Sequence, residues 1–418
     1  MKRILMVSTH GYFEGNPSFG RADTGGQIVF VIELSKALAK LGYKMDILSR
    51  QFEDYEQIET LNEDVRIVRM PCGGKNFIPK EYLVKYLPEL IEGFTEYCKH
   101  NNLIYEFIDS HYWDAGFVGT KLAATFNIPQ AFTPHSLGIW KEMNTRKSLA
   151  EEGERINEDE FEAKYNFKQR NSTEREIMQS VNQVIATTPE QKDIMNEKYG
   201  ISRDKIAVIP PGFFPDKYHM MREDDVRKVR KKYNLPDRFA LSVGRIASNK
   251  GYDLLIKSFK YVLQEEPEVK LVLAIGSNEE SDVKKREEFS RIAEDSGISD
   301  SVIFFGHVDE LEAFYNAAEI LVMPSTYEPF GMVAIECMAC GTPAIVTSLG
   351  GLKDFVVDGE DTLFVNPLEI QEMAQTVVRL LKDKHLQRQI SQKGYEKAHS
   401  TFTWEKIAQS TLNLTSDW

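Results

Sequence analysis

Short β-branched runs alternate with amphipathic stretches along the whole chain, and the alternation occurs twice. Strands are expected near residues 4–8, 45–49, 65–70, 107–110, 130–133, 184–187 and 206–209 of the first half. In the second half they are expected near 239–243, 269–275, 302–305, 320–323, 344–347 and 363–365. Helical patterns such as 27–41, 222–233, 254–263 and 336–340 lie between them. Strands separated by helix-length segments pair in parallel, with helices on both faces of the sheet. Two such series predict two Rossmann-like doubly wound α/β domains. Ile209-Pro-Pro-Gly212 ends a strand firmly and marks the boundary. The expected division is 1–212, joined by a terminal helix at 403–418, and 213–402.

A chain of 418 residues is too long for one core and suits two domains. With 42% hydrophobic and 28% charged residues it reads as a soluble globular protein. Its net charge of −13 disfavours nucleic acid or an anionic membrane as partner. Basic residues set inside motifs of so acidic a chain point to small anionic substrates held locally. Met1-Lys-Arg-Ile-Leu-Met-Val-Ser8 has too short an apolar run for a signal peptide and reads as a first strand. Cys72, Cys98, Cys337 and Cys340 are too few for a disulfide framework, so a reducing cytoplasm is expected. Cys337 and Cys340 form a C-x-x-C inside a helical pattern with apolar neighbours, which reads as packing.

Ligands of open parallel sheets bind beyond the carboxyl ends of the strands. The most informative motif stands at such an end. After the run 320–323 comes Glu328-Pro-Phe-Gly-Met-Val-Ala-Ile-Glu336, with a helix expected to start near Gly331. The N–H groups of a helix start bind anions such as a diphosphate. Glu336, about one turn in, could accept from the two hydroxyls of a ribose, and Glu328 could face a donor sugar. The pattern reads as a nucleotide-sugar site. Arg245 and Lys250 follow the first strand of the second domain and could clamp the diphosphate, as a fork and a point charge. Fixed cations there would stabilise leaving-group charge and remove the need for a metal.

In the first domain, Ala22-Asp-Thr-Gly-Gly-Gln27 precedes a helix, and its glycines allow close approach of a ligand to backbone. Thr133-Pro-His135-Ser136-Leu-Gly138 and Ser110-His111-Tyr112-Trp113-Asp114 each follow a strand. Lys80, Lys141 and Arg170 could each meet a phosphate. Gly350-Gly351 could do so through backbone, and the loops at Gly276-Ser-Asn278 and Gly306-His307 could read a base. Asp253, His307 and Glu312 read as structural. The acidic stretch 151–162 reads as a helical excursion or a mobile loop. There is no G-x-G-x-x-G and no G-x-x-x-x-G-K-S/T, so a nicotinamide cofactor and a P-loop are unsupported.

Taken together these motifs resemble the retaining family 4 glycosyltransferases of GT-B fold, and within them the sucrose-phosphate synthase and mannosylfructose-phosphate synthase group. Ser8–Tyr12, Ala22–Gln27, Phe77–Tyr82, Ser110–Gly116, Pro134–Lys141, Asn249–Asp253 and Tyr327–Met332 carry the likeness, which spans residues 1 to about 404. The resemblance implies two domains facing a cleft and hexosyl transfer from a nucleotide sugar to fructose 6-phosphate. GDP-mannose is the preferred donor and UDP-glucose the alternative. No prosthetic group or metal is implied. By the same resemblance Arg245, Lys250, Glu328, Phe330, Gly331, Met332 and Glu336 bind the donor. Gly26, Gln27, Lys80, Tyr112, Ser136, Lys141 and Arg170 surround the acceptor. His135, Glu328, Arg245 and Lys250 act at the reacting sugar and leaving group. A front-face route, in which the departing phosphate takes the acceptor proton, is the mechanism it implies. A sugar-phosphate phosphatase would act downstream on the product. A nucleotide-sugar 2-epimerase or a non-catalytic sensor of the same fold would lack one of the two residue sets.

Overall fold

In the computed structural model the first unit is built on an eight-stranded sheet. The structure describes residues 1–15, 26–51, 53–151, 157–277, 279–416 and 418. The sheet holds β1 (Arg3–Val7), β2 (Lys44–Gln51), β3 (Ile58–Asn62), β4 (Val65–Pro71), β5 (Ile108–His111), β6 (Gln130–Thr133), β7 (Gln183–Ala186) and β8 (Ile206–Val208). Their spatial order is β3-β4-β2-β1-β5-β6-β7-β8, and every pair is parallel except β3 with β4. The chain leaves β1 towards β2, then returns to lay β5 on the other side of β1. The order therefore reverses between β1 and β5, the place where doubly wound sheets open a crevice at their carboxyl ends.

The second unit has a six-stranded, all-parallel sheet of β9 (Phe239–Gly244), β10 (Lys270–Ile275), β11 (Val302–Phe305), β12 (Ile320–Met323), β13 (Ala344–Thr347) and β14 (Leu363–Val365). Its order is β11-β10-β9-β12-β13-β14, so the reversal falls between β9 and β12. Both faces are covered. Phe239, Leu241, Phe314, Ile335 and Met338 are buried on one side, and Ala240, Leu255, Phe259, Val377 and Leu380 on the other. A strand buried on both faces reads as a continuous apolar run, as Ile320–Met323 does.

The chain divides into Met1–Pro211 with Ile407–Trp418, and Gly212–Lys406. Strand β3 was not foreseen. Ile58–Asn62 is an antiparallel edge strand, half-exposed and mostly polar, so it lacks the apolar run that marked the others. The acidic stretch forms a helix at Glu158–Tyr165, with Asn157 and Glu160 as a capping box, while 152–156 lie outside the described residues. Among the described residues no helix is long and apolar enough to cross a membrane.

Candidate active site

In the second unit the segments after β9 and β12 are laced together because those strands are neighbours. Asn249 Nδ2 donates to the Tyr327 carbonyl at 2.8 Å, and the Thr326 N–H donates to the Asn249 carbonyl at 2.9 Å. Gly251 has φ +66°, and a Cβ there would stand 2.1 Å from the Pro324 carbonyl oxygen. Only glycine allows that approach. The lacing sets Lys250 Nζ 2.6 Å from Glu328 Oε2, which also accepts from Ser325 Oγ at 3.0 Å. Arg245 is exposed beside this pair's strand end.

Beyond Glu328 the chain turns into the helix Met332–Ala339. Gly331, at φ +112°, is its N-cap, and no side chain caps the first N–H groups. The Phe330 ring does not face outward. It is buried in edge contact with Phe355 at 5.5 Å and Phe402 at 5.9 Å, which anchors the turn. Glu336 is half-buried and accepts from the Tyr315 hydroxyl at 3.1 Å. Burial pushes its carboxyl up to about 7, although the bond from Tyr315 opposes the rise. Nearby, Oε2 of Glu312 is buried without a hydrogen-bond partner among the described residues.

The first unit's reversal point is built from buried polar groups, with histidines prominent among them. Gln27 Nε2 donates to Ser8 Oγ at 3.2 Å and to the His111 carbonyl at 3.0 Å, tying the helix Gly26–Lys40 to the ends of β1 and β5. Asp114 is fully buried and accepts from Thr9 Oγ1 at 2.6 Å, with His10 Nδ1 at 3.1 Å. Burial would raise the Asp114 carboxyl, but His10 and Thr9 hold it below the usual carboxylate range. Tyr112 follows with φ +80° and ψ 160°, a region nearly reserved for glycine. His135 has φ +57°, inside a three-residue turn closed by the Ser136 N–H on the Pro134 carbonyl at 2.6 Å. Two strained residues at neighbouring strand ends mark the site.

Arg170 comes to the same place from the helix Phe167–Ser180. Its guanidinium lies 4.8 Å over the Tyr112 ring, donates to Glu174 at 2.8 Å and to the Ser136 carbonyl at 2.5 Å. Glu174 also accepts from the Gly138 N–H at 2.8 Å and from the Tyr199 hydroxyl. Burial alone would lower the Arg170 pKa, but Glu174 outweighs it and keeps the charge. Lys80, Lys141, Tyr112 and Arg170 line one small cavity, with Glu81 at its rim.

Comparison with known proteins now decides the family. Residues 24–217 match "Glycosyltransferase Family 4" and residues 225–397 match "Glycosyl transferases group 1". The chain is 42% identical to the mannosylfructose-phosphate synthase of Agrobacterium fabrum, over 99% of this chain and 90% of that one. It is 30% identical to a probable sucrose-phosphate synthase of Thermosipho melanesiensis, over 99% and 96% of the two chains. The sucrose-phosphate synthase structure from Thermosynechococcus elongatus superposes with a TM-score of 0.78 at 29% identity, covering 100% of this chain and 99% of that one. The chain belongs to the family 4 glycosyltransferases.

This hexosyltransferase has the two parallel-sheet α/β domains of the GT-B fold. Its structure places Lys250, Glu328 and the Gly331 turn together at one reversal point, and Gln27, Tyr112, Ser136, His135 and Arg170 around the other. Not all expected residues follow a strand. Lys141 and Arg170 stand within helices, and they line one cavity together with Lys80. A Cβ at Gly26 would meet nothing within 4 Å, while Ala22–Gly25 and Asn278 lie outside the described residues. Cys337 and Cys340 are buried and pack within the Glu312–Cys340 region, their thiols near the Thr342 and Glu312 carbonyls. His307 is exposed, beside Asp309 at 3.1 Å. Sequence reasoning missed Asn249, Ser325 and Tyr315. Asn249 alone carried a signal, since it adjoins Lys250 in the same motif.

Proposed function

We propose that this transferase moves a mannosyl group from GDP-mannose to fructose 6-phosphate with retention of configuration. The observation that carries the reading is the gathering of Lys80, Lys141, Tyr112 and Arg170 around one cavity, a set suited to a phosphosugar acceptor. The identity of 42% with a mannosylfructose-phosphate synthase over nearly the full length supports the mannosyl donor. The structural likeness to a sucrose-phosphate synthase favours UDP-glucose as the second reading.

In this reading the diphosphate rests on the uncapped N–H groups at Phe330–Met332, with Arg245 and Lys250 as cations, and Glu336 accepts from the ribose. Lys250 now pairs with Glu328. The incoming diphosphate would take Lys250, and the Glu328 carboxylate would be left to accept from the hexose hydroxyls. As the glycosidic C–O bond breaks, negative charge grows on the diphosphate beside these cations. The departing oxygen takes the proton of the acceptor hydroxyl on the same face. His135 lies beside the transferred sugar. Gly26, Gln27 and Ser136 complete the acceptor's surroundings.

A product assay tests this. Purified protein is given fructose 6-phosphate with GDP-mannose or UDP-glucose, with and without chelator. Turnover with GDP-mannose, unchanged by chelator, is expected. Turnover with UDP-glucose alone would replace the donor assignment, and silence with both would remove the acceptor assignment.

A further inference from the structure

Beneath His135 lies a chain of buried groups that the reading above does not use. His135 Nε2 stands 3.0 Å from His111 Nδ1. His111 Nε2 stands 3.5 Å from Asp109 Oδ2. Asp109 and His111 are two residues apart on β5, so both project from the same face of the sheet. Both are fully buried. Among the described residues, neither oxygen of Asp109 and not Nε2 of His111 has a hydrogen-bond partner at conventional distance. A buried carboxylate without a donor is strongly disfavoured, so one partner must serve it.

Among the described residues, His111 Nε2 is the nitrogen that stands within ion-pair distance of Asp109. Of the two neutral forms of His111, one points a proton at the carboxylate and the other points a lone pair. With Asp109 ionised, only the first gives the carboxylate a donor. Nδ1 of His111 is then an acceptor, and the proton between the two rings belongs to His135 Nε2. That leaves Nδ1 of His135 unprotonated, and it has no hydrogen-bond partner among the described residues. The ring is held sideways as well. Phe30 packs against it edge-on at 4.9 Å, and Gln191 Nε2 donates to the His135 carbonyl at 3.2 Å. Burial lowers His135 well below the usual histidine range, with His111 and His10 adding to the effect, so the ring stays neutral.

We propose that Asp109 and His111 are positioning residues which fix His135 as the Nε2–H tautomer, presenting an Nδ1 lone pair to a hydroxyl of the bound sugar. The relevance to transfer rests on the reading of His135 as the residue beside the transferred hexose. The tautomer chain stands on geometry alone.

The test uses the whole enzyme labelled with 15N-histidine, eight residues in all. Long-range 1H–15N spectra near pH 7.5 report the state of each ring nitrogen, and His111→Asn and His135→Gln assign the signals. Protonated Nε2 and bare Nδ1 are expected for both His111 and His135. A bare Nε2 on His111, or a doubly protonated His111, overturns the proposal. Asp109→Asn is the second arm. Its kcat is expected to fall about 10- to 100-fold, with both KM values within about twofold of wild type, as when the partner that orients a histidine is lost. Its His135 nitrogens are expected to shift towards a mixture of tautomers. Wild-type kcat together with wild-type His135 signals overturns the proposal. Should Asp109→Asn not fold, the wild-type spectrum decides alone. Should the wild-type enzyme not use fructose 6-phosphate, the functional reading falls, while the ring-nitrogen pattern still decides the chain.

Discussion

The two sheets reverse their strand order in the same way, yet the two reversal points are furnished differently. Between β9 and β12 the side chains are charged, with Lys250 paired to Glu328 and largely covered and Arg245 exposed. Between β1 and β5 the groups are buried and tied to one another, with His10, His111 and His135 linked to Asp114 and Asp109. The same topology thus supplies a location, and the loops supply the chemistry. A pair of cations suits a mobile, multiply charged ligand such as a diphosphate. A buried histidine chain suits one fixed hydrogen bond to a sugar.

The largest effect expected from this contrast follows the loss of Lys250. Lys250→Ala should lower kcat/KM by about 10³-fold, since a fixed cation at the leaving group is removed. Steady-state rates would measure it, and a wild-type melting temperature would show that the fold is kept. A fall of less than tenfold would break the contrast, because the second unit's charges would then be incidental.

Lys80→Ala should come next. It is expected to raise the acceptor KM about 10- to 50-fold while the donor KM stays within about twofold. Equal changes in both would remove Lys80 from the acceptor set.

The third effect is a pH dependence. Glu336 must be ionised to accept from both hydroxyls of a ribose with its two oxygens, and its carboxyl is pushed up to about 7. Nucleotide affinity should therefore be full above pH 8 and fall as pH drops through 7, by about tenfold per unit at the limit. Calorimetry with GDP from pH 5.5 to 8.5 would show it, and Glu336→Gln should be weak and flat. The linkage has the opposite sign for the empty protein. Between 4.5 and 7 the folded chain holds this proton more tightly than the unfolded chain, so Glu336 lowers stability as pH rises.

The smallest effect separates the sites by salt. Raising ionic strength from about 0.05 to 0.5 M shortens screening from roughly 14 to 4 Å. The donor KM should rise about two- to fivefold while the fractional loss caused by Asp109→Asn stays constant. A salt-dependent loss would mean that the buried chain is open to solvent.

Much of the fold was legible because both sheets are mostly buried. Runs such as Ile320–Met323 and 344–346 had to be apolar throughout. Ile58–Asn62 was not legible because an edge strand needs no such run. Glu328 and Glu336 could be read from their spacing around a turn. The contact of Glu328 with Lys250 could not, since nothing in either segment states that β12 lies beside β9. Phe330 was read for its backbone, and its ring proved to be an anchor. His135 was read as a loop histidine on a strand end. Its dependence on Asp109 was hidden because a carboxylate inside a strand looks like an ordinary surface position until burial is known.

All four cysteines are buried, and burial pushes the thiols of Cys72, Cys98 and Cys340 up to about 12 and that of Cys337 well above its ordinary range. Almost no thiolate exists at neutral pH, and little of the sulfur is reachable. The native chain is therefore a silent background for thiol labelling. A single cysteine placed at an exposed position such as Met143 or Leu368 would carry a fluorophore or spin label alone. Pairs of such labels, one on each unit, would let distances be followed during turnover without first removing any natural cysteine.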